Sequence, residues 1–150
     1  MELLSRISDA QKEAMKARDT ARLSTVRMIL AAVKDKEIAL RTSGQAISEG
    51  EVLALLGKMV KQRQESAKVY VEGGRQELAD KELAEIGVIE TFLPKALSAA
   101  EVVAAIGAAI DEAGATSLRD MGKVMGVLKA RYTGQMDFSS VGAVLKARLG

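Results

Sequence analysis

Gly57-Lys58 and Gly122-Lys123 are the two places where this chain of 150 residues comes nearest to a phosphate-binding loop. Such a loop needs a further glycine five residues upstream, so that backbone amides cradle the phosphates. It also needs a Ser or Thr after the lysine to hold a metal ion. Neither dipeptide has these, and both lie in stretches that read as helix. Ser139-Ser140 offers two hydroxyls, but there is no histidine and no cysteine. No Ser-His-Asp or Cys-His set can therefore be assembled, and the commonest general base and soft metal ligands are missing. The carboxylate pairs Glu49/Glu51 and Asp111/Glu112 fall near expected helix ends, where capping and charge balance account for them. The residues point to no catalytic centre, no metal site and no cofactor.

What remains is charge. The chain carries 22 Lys+Arg against 20 Asp+Glu, but the excess is not evenly spread. Up to residue 93 the two signs balance. After residue 118, Arg119, Lys123, Lys129, Arg131, Lys146 and Arg148 face only Asp120 and Asp137. A positive field confined to the last thirty or so residues favours an anionic partner at that end. Lys129, Arg131, Lys146 and Arg148 sit near helix C-termini, where cations also complement the helix dipole. Arg119 and Lys123 sit near a helix start, where positive charge is disfavoured, so that explanation does not cover them. Exposed amides and cations together would attract an anion there.

Within the same segment, Gly122 and Gly126 stand four apart in an otherwise helical pattern. Each costs ~1 kcal/mol relative to alanine in a helix interior. Two bare positions at that spacing allow a close approach, either by a packed helix or by a phosphate backbone. Close helix packing is the simpler expectation for the glycines themselves.

The elements that must position these residues are helices. Leu3, Ile7, Ala10, Ala14 and Ala17 predict a helix over 2–17, and Leu23, Val26, Leu30 and Val33 predict a second running to about Leu40. Ser48 and Glu51 form a capping box, with Ile47 and Val52 as a hydrophobic staple, opening a third helix that ends at Gly73-Gly74. A fourth runs from Arg75 to Leu93. Pro94, the one proline, stops it. Ser98 and Glu101 repeat the capping box, and the fifth helix ends at Gly114. Ser117 is expected to cap the sixth, and Asp137 or Ser139 the seventh. Arg27 and Arg63 each adjoin an apolar stripe and read as candidates for buried, paired arginines. The other cations on helices two and three read as a solvated surface paired with neighbouring acids. The fold class is therefore all-α: a four-helix N-terminal bundle over 1–93 and a three-helix C-terminal domain over 94–150. No apolar run approaches the ~20 residues of a membrane span, and Met1-Glu2-Leu3-Leu4 does not resemble a signal peptide. A soluble, cytoplasmic protein is expected.

Several runs resemble a known family. Arg22-Leu23-Ser24-Thr25-Val26-Arg27-Met28-Ile29-Leu30-Ala31-Ala32, with Lys36-Glu37-Ile38 after it, is similar to the N-terminal signature of the YqeY-like (GatB/YqeY domain) proteins. So are Lys58-Met59-Val60-Lys61-Gln62-Arg63-Gln64-Glu65-Ser66, Gly74-Arg75-Gln76-Glu77-Leu78-Ala79 and Phe92-Leu93-Pro94. Asp120 to Gly126 is similar to the family's C-terminal motif. The resemblance implies kinship with the tail of the glutamyl/aspartyl-tRNA amidotransferase B subunit, which contacts tRNA, and an amidotransferase-like label (a carbon–nitrogen ligase with glutamine as amido donor). One departure is that Gly134 to Ser140, commonly basic in the family, keeps Gly134 and Asp137 but has no cation.

The expected function is a non-catalytic, tRNA-directed binding or accessory protein. Its RNA-binding residues would be Arg119, Gly122, Lys123, Gly126, Lys129 and Arg131. Tyr132 and Phe138 are the only aromatics after Pro94, so recognition would be of backbone and shape rather than stacked bases. The partner would be tRNA or another structured RNA. The alternatives are a helical protein-interaction adaptor, or an accessory component of a glutamine-dependent amidotransferase whose catalysis lies on another subunit. Membrane association is not expected, and the oligomeric state is left open, with a monomer slightly favoured.

Overall fold

A computed structural model describes residues 1–150. The chain is all-helical, with seven α-helices and no strand. They are α1 (Glu2–Ala17), α2 (Thr20–Arg41), α3 (Glu49–Glu72), α4 (Gln76–Glu90), α5 (Ala99–Ala113), α6 (Met121–Tyr132) and α7 (Phe138–Leu149). A short 3-10 turn, Leu118–Asp120, precedes α6. The chain forms two compact units, Met1–Pro94 and Lys95–Gly150. No helix is long and apolar enough to cross a membrane.

In the first unit α1 packs on α2, α2 on α3 and α4, and α3 along α4. The core gathers Leu3 and Ile7 of α1, Val26, Ile29 and Val33 of α2, Val52, Leu56 and Met59 of α3, Ile89 of α4, and Phe92 in the turn after it. Burying such side chains contributes about 1.5–3 kcal/mol each. α1 does not end at a glycine. Arg18 takes the left-handed conformation (φ 55°), which lets the chain turn at once into α2. Asp19 then caps α2 by accepting from the Arg22 N–H at 3.1 Å. The third helix opens on the expected capping box, Ser48 with Glu51, and Ile47 packs against the core that buries Val52, as a staple would. Gly74 supplies the left-handed residue (φ 73°) between α3 and α4.

Polar groups also fix this unit. Arg6 Nη2 donates to the Thr91 carbonyl at 3.1 Å, tying α1 to the C-terminal end of α4. Arg63 Nε donates to Glu85 Oε2 at 2.9 Å, joining α3 to α4 with both side chains largely buried. The same guanidinium donates to the Met59 carbonyl and reaches Met28 Sδ at 3.6 Å. Arg63 is thus the structural arginine expected from its place beside an apolar stripe. Arg27 is not: it is exposed and forms no ion pair. The two share a sequence setting, but only Arg63 faces a carboxylate on a neighbouring helix.

In the second unit α5 packs on α6 and α6 on α7, and the 3-10 turn contacts α6 and α7. Ala105, Ile106 and Ala109 meet Val124, Leu128, Val141 and Leu145 in its core. Ser98 and Glu101 make the second capping box, and Gly114 closes α5 in the left-handed region (φ 63°). The segment between α6 and α7 is a clasp. The Gln135 carbonyl accepts from the Leu97 N–H at 2.9 Å, and Gln135 Nε2 donates to the Lys95 carbonyl at 3.1 Å. Gly134 turns there at φ 83°. The lack of cations in this stretch accords with a fastening role within the unit.

Candidate nucleic-acid interface

The segment that carries the sequence-expected site begins at Thr116. The Asp120 carboxylate turns back and accepts from the backbone N–H of Thr116 at 3.0 Å and of Ser117 at 3.3 Å. Those bonds, that from Thr116 foremost, hold its pKa below the ordinary carboxylate value, with Lys123 adding a smaller electrostatic contribution. This alters the expected helix start. The sixth helix begins as a tighter 3-10 turn, and its α-helical part starts only at Met121. Arg119 therefore lies in the 3-10 turn and Lys123 in the first turn of α6. The carboxylate of Asp120 already takes two of the N–H groups at this end.

From Met121 onward each residue advances about 100° around the helix axis. Val124 and Leu128 point inward and are buried. Gly122, Gly126 and Lys129 share the opposite face, flanked by Lys123 and Ala130, and all five are exposed. The glycines are open: a Cβ built on Gly122 or Gly126 would meet nothing within 4 Å. Close helix packing within the second unit, the simpler expectation for these glycines, does not hold, because neither glycine abuts α5 or α7. Packing contact falls instead at Gly142, where a Cβ would lie 3.6 Å from Met121 Cε.

The structure separates the six candidate residues into two groups. Arg119, Lys123 and Lys129 are exposed and form no ion pair, and Gly122 and Gly126 form the bare strip beside them. Arg131 lies about half a turn away from Gly122 and is already engaged. Its Nη1 and Nη2 each stand 2.7 Å from one Glu112 oxygen at the end of α5. Sequence reasoning missed this pairing because the partners are 19 residues apart in different helices. Lys146 and Arg148 are exposed on α7, and Arg148 Nη2 lies about 4.0 Å from where a Cβ on Gly107 of α5 would stand.

With this geometry in view, the comparisons with known proteins are decisive for family. The family described as "Yqey-like protein" matches residues 4–149. The chain belongs to the YqeY-like family. Among curated relatives, the protein named "Altered inheritance of mitochondria protein 41, mitochondrial" from Clavispora lusitaniae is 37% identical over 91 residues, 61% of this chain and 51% of that protein. Its namesakes from Vanderwaltozyma polyspora and Saccharomyces cerevisiae are 33% and 32% identical over 82 residues, 55% of this chain and 43% of each relative. The matched segment spans about half the length of these relatives.

These names correct one expectation. This YqeY-like chain was expected to be cytoplasmic, whereas the relatives are named as mitochondrial. The physical reason is plain: charge balance and helical patterning do not distinguish one compartment from another, so they could not select the cytoplasm.

Proposed function

We propose that the second unit of this YqeY-like protein is a non-catalytic module that binds structured RNA, with tRNA as its preferred class. The observation that carries this reading is the outward face of α6. Three exposed cations outside any ion pair, Arg119, Lys123 and Lys129, surround a glycine strip that stays open within the second unit. Bare backbone at Gly122 and Gly126 lets a phosphate chain come closer than any side chain would allow, and the cations supply the attraction. The face has no aromatic residue, so it reads backbone and shape. On this reading the first unit is a four-helix bundle, and the second is a three-helix module akin to the tail of the tRNA amidotransferase B subunit. Arg131 is a reserve cation held on Glu112 rather than a primary contact.

The test is ultraviolet crosslinking of the full chain to tRNA, followed by peptide mapping. Crosslinked nucleotides should map to residues 119–130. Crosslinks confined to other segments, or none at low salt, would overturn the assignment.

A further inference from the structure

A second cationic surface runs along α2. Seven residues make nearly two turns of an α-helix, about 10.5 Å, so residues at that spacing share a face. Arg27, Lys34 and Arg41 stand at this spacing; all three are exposed and none is in an ion pair. Ala31 and Ile38 repeat at the same interval between them, and Ile38 leaves 49% of its surface in solvent. At the N-terminal end of the stripe lies an open hollow of about 420 Å³, lined by Thr20, Leu23, Ser24, Arg27, Met28 and Ala31. Met28 is steadied within the unit by the Arg63 guanidinium at 3.6 Å from its sulfur. The core of the first unit uses a different side of α2, that of Val26, Ile29 and Val33. Within the first unit this face, flanked by Asp35 and Glu37, is left to solvent, with the hollow and the three cations in one register.

We propose that this face of α2 docks an acidic amphipathic helix of a partner protein. One apolar side chain of that helix sits in the hollow and a second lies on Ile38, while carboxylates face Arg27, Lys34 and Arg41. Register and charge complementarity carry the choice of occupant. A helix laid along α2 presents its own residues at the same two-turn interval, so apolar and acidic positions seven apart meet apolar and cationic positions seven apart. A nucleic acid would satisfy the cations, but it has no side chain for the hollow, and the stripe offers no aromatic surface on which a base would stack. This proposal does not depend on the RNA reading of the second unit.

The probe is a set of labelled synthetic helices about three heptads long, with leucine and glutamate each repeated every seven residues in different relative registers. They are titrated with the full chain at low salt by fluorescence anisotropy. One register should bind saturably, and a scrambled peptide of the same composition should bind at least about tenfold more weakly. The exposed double variant R27E/K34E should lower affinity about tenfold, and a lysine-for-glutamate peptide should prefer that variant to the wild type. Ala31→Trp should weaken binding by filling the hollow with the charges intact, and an unchanged circular dichroism melt checks that each variant folds. Lys123→Glu, which addresses the second unit, should leave peptide binding unaltered. The proposal is overturned if no acidic register binds or if the scrambled peptide binds equally well. It is also overturned if structured RNA displaces the peptide and loses its own binding in R27E/K34E, which would make the stripe a nucleic-acid surface.

Discussion

Arg131 of α6 and Glu112 of α5 form a two-pronged ion pair, with each terminal guanidinium nitrogen 2.7 Å from one carboxylate oxygen. About half of each side chain remains in water, so the pair contributes only ~0.2–1 kcal/mol to stability. Its larger consequence is electrostatic. It neutralises one of the unit's cations, which its place on α6 already sets about half a turn from Gly122.

A change in RNA affinity follows from that pairing. Glu112→Gln releases Arg131 and should raise affinity for structured RNA about twofold to threefold at low salt, because one more cation becomes available to phosphates. Arg131→Gln in the wild-type background should cost less affinity than Lys123→Gln. Filter binding of the three variants to one tRNA checks the order. Equal losses from Arg131→Gln and Lys123→Gln would show that the ion pair does not sequester Arg131.

The open glycines separate stability from binding. A Cβ at Gly126 meets nothing within 4 Å, and alanine is favoured over glycine in a helix interior by ~1 kcal/mol. Gly126→Ala should therefore stabilise the second unit, raising its Tm by about 4 °C or more for a unit of this size. Gly126→Leu also fits the open space, but it lifts any partner off the backbone and should reduce RNA affinity severalfold. Thermal melts and binding curves on the same samples make the comparison. A destabilised Gly126→Ala would mean that the face is covered after all.

Arg63 and Glu85 should behave differently from Arg131 and Glu112. Their side chains are only 14% and 16% exposed, and the guanidinium is also held by the Met59 carbonyl. Glu85→Ala leaves a largely buried cation without its partner and should destabilise the first unit by about 2–4 kcal/mol. Glu85→Gln keeps an acceptor for Nε and should cost less. Urea denaturation with a constant m-value distinguishes a loss of stability from a change in compactness.

Acid should weaken the second unit through its helix starts. Glu101 is lowered by its bonds with Ser98, first the backbone N–H and then the side chain, and Asp120 by the backbone N–H groups of Thr116 and then Ser117. A carboxylate whose folded pKa lies below its unfolded value adds stability that is fully present above the unfolded value. That stability is lost as pH falls through the folded one. The second unit should thus lose stability as pH drops below about 4. Asp120→Asn should flatten that acid limb, and thermal melts from neutral pH to about pH 2 measure it.

Much of the helical layout was legible because its signals are local. Ser48/Glu51 and Ser98/Glu101 announce helix starts through bonds made within three residues, and Gly114 announces an end because only a left-handed residue continues the turn there. Arg18 was not legible, since arginine has no intrinsic preference for the left-handed conformation that it adopts. Nor was the 3-10 opening of the sixth helix, which depends on Asp120 reaching back to Thr116. The candidate site was readable as a set of cations and glycines. Whether Gly126 faced a helix or water, and whether Arg131 was free, depended on packing between helices. So did the difference between Arg27 and Arg63, which only Glu85 decides.

The central claim, that the outward face of α6 binds RNA through its cations, is tested most directly by the salt dependence of tRNA binding to the full chain. About three phosphate contacts from Arg119, Lys123 and Lys129 predict a slope of log K against log salt of roughly −2 to −3. The Lys123→Glu/Lys129→Glu double variant should flatten the slope and abolish most of the affinity. Undetectable binding at low salt, or binding that does not weaken as salt rises, would contradict the account.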